Sequence, residues 1–173
     1  GCIMANTMTL IASSTVGSGG TSSIDFTSIP STYTDLQLML SARGASTALY
    51  ANIKLNNSSS AIYSLRTIYG DGSAAASQND SGATYFERFL MVSSAYTANT
   101  FSNGMLYIPN YAGSNNKSVM FDSVNENNAT AAQSFMVAGL WASTAAINQI
   151  TLTPNTGNFA QYSTAYLYGV KNA

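Results

Sequence analysis

Histidine is absent from this sequence. That removes the side chain that most often serves as general base and as metal ligand near neutral pH. Ser/His/Asp and Cys/His nucleophilic arrangements are excluded with it, and so, in effect, are zinc sites. Cys2 is the one cysteine, so no disulfide can form within the chain. Charge is scarce as well. Asp, Glu, Lys and Arg make up 8% of the residues, against about 25% in an ordinary soluble domain. The net charge is −1 and no basic cluster occurs, so the sequence offers a nucleic-acid backbone no electrostatic footprint. There is no basic amphipathic face for a membrane surface. No run approaches the ~18 apolar residues of a membrane-spanning helix. Nor does any segment sustain the i, i+3, i+4, i+7 spacing of an amphipathic helix, and Ala129–Gln133 could form one turn at most.

What is present is apolar and β-forming. The hydrophobic share is 46%, and Ser, Thr, Asn and Gly fill the gaps between apolar runs. That excludes the low-hydrophobicity, high-charge signature of disorder. A chain of 173 residues fits one domain with a real core. Residues 1–7 read as a loose arm and 8–173 as a single domain. Met4-Ala5-Asn6 reads as a natural start, which makes Gly1-Cys2-Ile3 a cloning remnant or an extended reading frame. A lipid-modified Cys2 would want an apolar signal segment before it.

The densest stretch is Ala61–Gly72. Ile62, Ser64, Arg66 and Ile68 alternate with Tyr63, Leu65, Thr67 and Tyr69, which is strand periodicity with bulk on both faces. Gly70-Asp71-Gly72 then turns the chain, because glycine accepts positive φ. Arg66 is expected to lie along tyrosine rings or pair with a distant carboxylate, as a structural anchor. Its other reading is a binding arginine for an acidic sugar or a partner loop.

Around this stretch, further strands are expected at Met8–Val16, Ser23–Phe26, Asp35–Arg43, Asn52–Asn56, Tyr85–Val92, Gly104–Pro109, Ser118–Val124, Ser134–Trp141, Ile147–Thr153 and Gln161–Lys171. The first two are expected to form a hairpin across Gly17–Gly20. Leu36, Leu38 and Leu40 should face inward, as should Ile53 with Leu55 and Ile150 with Leu152. Pro109 should end a strand, and Trp141 should lie in the core. Gly72–Thr84 is expected to be a long loop of small residues, a natural partner contact. Tyr85–Val92 and Phe135–Trp141 carry bulk on both sides. Either a loop covers their second face or another subunit does. Short strands punctuated by turns imply an all-β fold, an antiparallel sandwich or barrel.

Catalytic and metal-binding constellations are not expected. The carboxylates are Asp25, Asp35, Asp71, Asp80, Glu87, Asp122 and Glu126. A glycosidase would need two of them positioned across a bond, and a calcium site would need clustered oxygens, such as Asp71 with Asp80 or Asp122 with Glu126 and Asn128. Ordinary turn chemistry accounts for them as well. Gly17-Ser18-Gly19-Gly20 is no phosphate loop, since no lysine or helix follows. Asn56, Asn57, Asn79, Asn116 and Asn128 fit the Asn-x-Ser/Thr pattern, as chance allows in so Asn- and Ser-rich a chain. The eleven tyrosines suit sandwich edges and interfaces.

In order, the chain presents Ser28-Ile29-Pro30-x-x-Tyr33-x-Asp35-Leu36 and Tyr63-Ser64-x-Arg66-x-x-Tyr69-Gly70-Asp71-Gly72. Ile108-Pro109-Asn110-Tyr111 follows, then Trp141-x-Ser143-x-x-Ala146-Ile147-x-x-Ile150, then Leu167-Tyr168-Gly169-Val170-Lys171. This order, from about Met8 to the end, resembles small virion structural proteins of tailed bacteriophages. The resemblance implies a jelly-roll-like antiparallel β-sandwich with a short N-terminal arm. It implies a non-enzymatic capsid decoration (cement) protein on the virion surface, with the major capsid protein as partner and self-association as a homotrimer. It implies no catalytic, cofactor-binding or metal-binding residue, and no nucleic-acid or membrane partner. Segments 1–16 and 72–84 are the expected shell contacts. The alternative is a tail-fibre or head-fibre domain that binds host surface glycans through exposed aromatics such as Tyr96, Tyr111 or Tyr162.

Overall fold

In a computed structural model, residues 7–128 and 132–171 are described. The expected arm, Cys2 with it, lies outside these residues except for Thr7. Twelve strands and no helix are present among the described residues. They are β1 (Met8–Thr15), β2 (Ile24–Phe26), β3 (Asp35–Ser41), β4 (Tyr50–Leu55), β5 (Tyr63–Gly70) and β6 (Ala75–Ala83). The second half adds β7 (Phe86–Leu90), β8 (Asn103–Ile108), β9 (Lys117–Val124), β10 (Ser134–Trp141), β11 (Ile150–Pro154) and β12 (Thr164–Val170). They form an eight-stranded sheet, β1-β12-β3-β8-β9-β10-β5-β6, and a four-stranded sheet, β2-β11-β4-β7. All strand pairings are antiparallel. The chain is an all-β, jelly-roll-like sandwich.

Alternation decides which side chains fill it. Leu36, Leu38 and Leu40 of β3, Ile53 and Leu55 of β4, and Ile150 and Leu152 of β11 are all buried, as expected. Trp141 is buried too. The centre of the core is aromatic. Tyr63 and Phe86 meet edge to face at 4.9 Å, and Phe89 stacks on Phe121 at 6.0 Å. Gly139 of β10 lies where this cluster leaves least room. A Cβ there would come 2.8 Å from Val119 Cγ2 and 2.9 Å from Phe86 Cε1.

Three expectations change. The hairpin of the first two strands does not form, because β1 pairs with β12 and β2 pairs with β11. Gly17–Gly20 carries the chain across to the other sheet, with Gly20 at φ 68°. There Ile24 and Phe26 find their buried places. Second, most of Gly72–Thr84 is strand β6 rather than loop, paired with all of β5. Its residues are small or polar and mostly exposed on both sides, so no period-2 signal marks them. The backbone ladder to β5 holds it, and Asp71 fixes the turn. The Asp71 carboxylate accepts the amides of Ala74 (2.8 Å) and Ser73 (2.9 Å) and the Ser73 hydroxyl (2.8 Å). These bonds, the Ala74 amide foremost, hold its pKa down to about 2.

Third, the two-sided bulk of Tyr85–Val92 needs no second subunit. In β7 Glu87 and Arg88 together oppose the one residue Asn52, and Arg88 takes φ 77°. This bulge lets Phe86 and Phe89 both turn into the core. It also aims Arg88 across to β6, where its Nη2 lies 2.8 Å from Asp80 Oδ2.

The arginine that anchors the fold is Arg43, just after β3. Its guanidinium donates to the backbone oxygens of Ser94, Tyr96, Thr97 and Thr100, at 2.8 to 3.3 Å. Five fixed donors suit one guanidinium to gathering the carbonyls of a loop. Arg43→Ala is therefore expected to cost about 2 kcal/mol, the range for hydrogen bonds to a charged group. It should also speed amide exchange selectively in residues 94–100. Denaturant melts with hydrogen-exchange mass spectrometry check both.

Candidate interaction surface

The four-stranded sheet covers one side of the eight-stranded sheet and leaves the other side open. On that open face β10 presents Ser134, Met136, Ala138 and Leu140, all exposed, while its alternate residues are buried. The second face expected for Phe135–Trp141 thus exists and is uncovered in this chain.

Register assembles the face into rows. In one row Ile68 of β5 pairs with Met136 of β10, and Met136 with Asp122 of β9. Asp122 pairs with Met105 of β8, Met105 with Met39 of β3, and Met39 with Tyr166 of β12. The next row carries Arg66, Ala138, Met120 and Tyr107 in the same manner. Ile68 is 60% exposed, Met136 57% and Met120 53%. Large side chains this exposed are expected singly on a surface, not in adjacent rows. Methionine adapts its shape to a partner and is favoured on such surfaces. Met91, by contrast, is fully buried.

Arg66 stands on this face, exposed, and its Nη1 donates to the Leu65 oxygen at 2.8 Å. It is not the sheet anchor expected of it; Arg43 has that role. Beside Arg66 the face dips into a hollow of about 550 Å3, lined in part by Arg66, Ile68, Gln78, Asn79, Met136 and Ala138. No aromatic ring lines it.

The carboxylates are dispersed or already engaged. Asp25 accepts the Thr151 hydroxyl at 2.6 Å. Asp35 is buried and accepts the Tyr107 hydroxyl at 2.5 Å and the Asn110 amide at 2.8 Å. The register sets Asp80 opposite Leu65, several pairs along the β5–β6 hairpin from the turn at Asp71. Asp71 instead borders a shallow hollow shared with Glu126. Asp80 and Glu87 border another, where Arg88 holds Asp80. Glu126 also accepts the Asn128 amide at 2.7 Å. Among the described residues no three His, Cys, Asp or Glu side chains gather as a metal site would require. Of the tyrosines offered for glycans, Tyr111 is buried and Tyr96 half-buried, while Tyr162 is exposed in the turn before β12. The hollow beside Arg66 is lined by none of the three.

Sequence reasoning missed two charged residues with structural roles. Lys117 opens β9 fully buried, its ammonium donating to the oxygens of Gly113 and Asn115, and burial lowers its pKa. Arg43 is the other. Both satisfy backbone oxygens, which no side-chain spacing announces.

The exposure pattern predicts an oxidation order. Dilute protein treated with peroxide should form sulfoxide at Met120 and Met136 well before Met91. Peptide mass spectrometry reads this, and early oxidation of Met91 would contradict the packing.

No protein-family model matches the chain. No curated protein compared with it matches either. Among solved structures, a galectin of Caenorhabditis elegans, LEC-6, aligns over 95% of this chain and 99% of its own, at 13% identity and a TM-score of 0.28.

Proposed function

We propose that the chain is a non-enzymatic virion structural protein: a capsid decoration protein that binds the outside of an assembled shell as a homo-oligomer and stabilises it. The observation that carries this reading is the open, methionine-rich face of the large sheet. A protein meant to remain single would gain nothing from such a face and would risk aggregation. An assembling one stabilises its contacts by burying it. Low charge supports the same reading, because closely packed copies then repel little. The two segments offered for shell contact also flank this face, since β1 and β6 are the two edges of the eight-stranded sheet. The major capsid protein is the shell partner under this reading, and the capsid surface is the location. The glycan-binding fibre reading has less support: sugars favour aromatic platforms, and the hollow beside Arg66 has none.

Quantitative mass spectrometry of purified particles tests the reading. The expected ratio of this chain to the major shell protein is of the same order as one. A ratio far below it would indicate a fibre or tail component. Absence from particles would refute a virion role.

A further inference from the structure

The open face carries charges of both signs, which bear on its occupant. Among the described residues its strands carry two exposed charges, Arg66 in β5 and Asp122 in β9. The remaining carboxylate on this side of the sheet, Asp35, is buried beneath Tyr107. Arg66 and Asp122 lie on opposite sides of β10: Arg66 pairs with Ala138, and Asp122 pairs with Met136. Neither makes an ion pair among the described residues.

We propose that this face is the self-contact of an isologous dimer, in which a two-fold axis over β10 sets Arg66 of each copy against Asp122 of the other. The proposal rests on the reading of the open face as an assembly surface, and it names the occupant as a second copy of this chain. A two-fold axis lying in the plane between the two copies, slanted across β10 over the gap between Met136 and Ala138, exchanges the positions of Arg66 and Asp122. Each copy therefore meets its own pattern with unlike charges opposed. A two-fold contact uses one patch on both partners, so the patch must be self-complementary, and this one is. A face of one sign would repel its copy.

Between the two charged positions lie Met136, Ala138 and Met120, with Ile68 and Leu140 at the flanks. This supplies an apolar centre with charges beside it, the usual anatomy of a protein interface. The apolar rows cross six strands from β5 to β12, about 29 Å at ~4.8 Å per strand. β10 and β9 each present four side chains to this face, and four rows about 6.8 Å apart bring its area close to the ~800 Å2 per partner of a stable complex. Flexible methionines can interdigitate across two sheets about 10 Å apart without demanding one rigid fit.

Charge reversal with rescue tests this. Sedimentation of the full chain from micromolar to hundreds of micromolar should give a monomer–dimer equilibrium. Arg66→Glu and Asp122→Arg should each weaken the dimer by about 100-fold or more, since each places like charges together twice per dimer. The double variant R66E/D122R should restore the dimer to within about 10-fold of the original constant. Met136→Lys should also give monomer. All these positions are exposed, and circular dichroism confirms that each variant keeps its fold. A wild-type monomer across the range overturns the proposal. So does a trimer, or a dimer indifferent to either reversal. The function and the self-contact fail separately. If R66E stays at full copy number in particles while the wild type is monomeric in solution, the self-contact falls and the decoration role stands. If the charge swap behaves as stated but the chain is absent from particles, the reverse holds.

Discussion

Eight strands are packed against four, and the rest of the structure follows from that inequality. The smaller sheet can bury one side of the larger. Tyr63, Phe86, Phe89, Phe121 and Trp141 fill the space between them, and such buried aromatics dominate the energetics of a core. Phe86 and Phe89 reach it from the edge strand of the small sheet, because a bulge at Glu87 and Arg88 turns both inward. The same bulge sends Arg88 to Asp80 and ties down β6. The core therefore has weight at one end of the large sheet, under β10, β9 and β5. On the reverse of those three strands lies the apolar face with Arg66 and Asp122.

The inner half of this arrangement is legible in the sequence. Leu36, Leu38 and Leu40, or Ile150 with Leu152, announce their strands by period, and burial then follows. The outer half is not legible in the same way. Met105, Met120 and Met136 lie on the successive strands β8, β9 and β10, and Met39 on the distant β3. Only the register of those strands makes them neighbours. Segment β6 escaped because Ala, Ser, Gln and Asn carry no alternation, and its strand state comes from the backbone ladder to β5 together with Arg88 on Asp80. The pairing of β1 with β12 and β2 with β11 escaped for another reason. Local turn chemistry at Gly17–Gly20 permits a hairpin, whereas the long-range partners Leu167, Tyr168 and Leu152 decide against it. Arg66 drew attention because a charge in an apolar strand is visible in sequence. Arg43 did not, since its partners are backbone oxygens 51 to 57 residues away.

The same contrast bears on function. Without histidine no side chain titrates near neutrality unless it is perturbed; Asp25, Asp35, Asp71 and Glu126 accept hydrogen bonds, Asp80 pairs with Arg88, and Asp122 stands exposed on the open face. What the fold leaves open is the outer face of the large sheet, with the hollow beside Arg66. Its residues are adaptable, nearly uncharged and self-matching around β10. The exposure of this face supports an assembling protein, and the virion setting of the proposal rests on motif order alone.

The proposed dimer pairs the open face with itself about β10. Self-cross-linking tests it most directly. Ala138 is exposed on β10 beside the proposed axis, so two copies of Ala138→Cys would lie close together. In a background where Cys2 is replaced by Ser, a short bismaleimide should convert A138C to a covalent dimer in high yield. The matching variant on the outer side of the small sheet, Lys54→Cys, should remain monomeric. Efficient cross-linking through position 54 with none through position 138 would contradict the account.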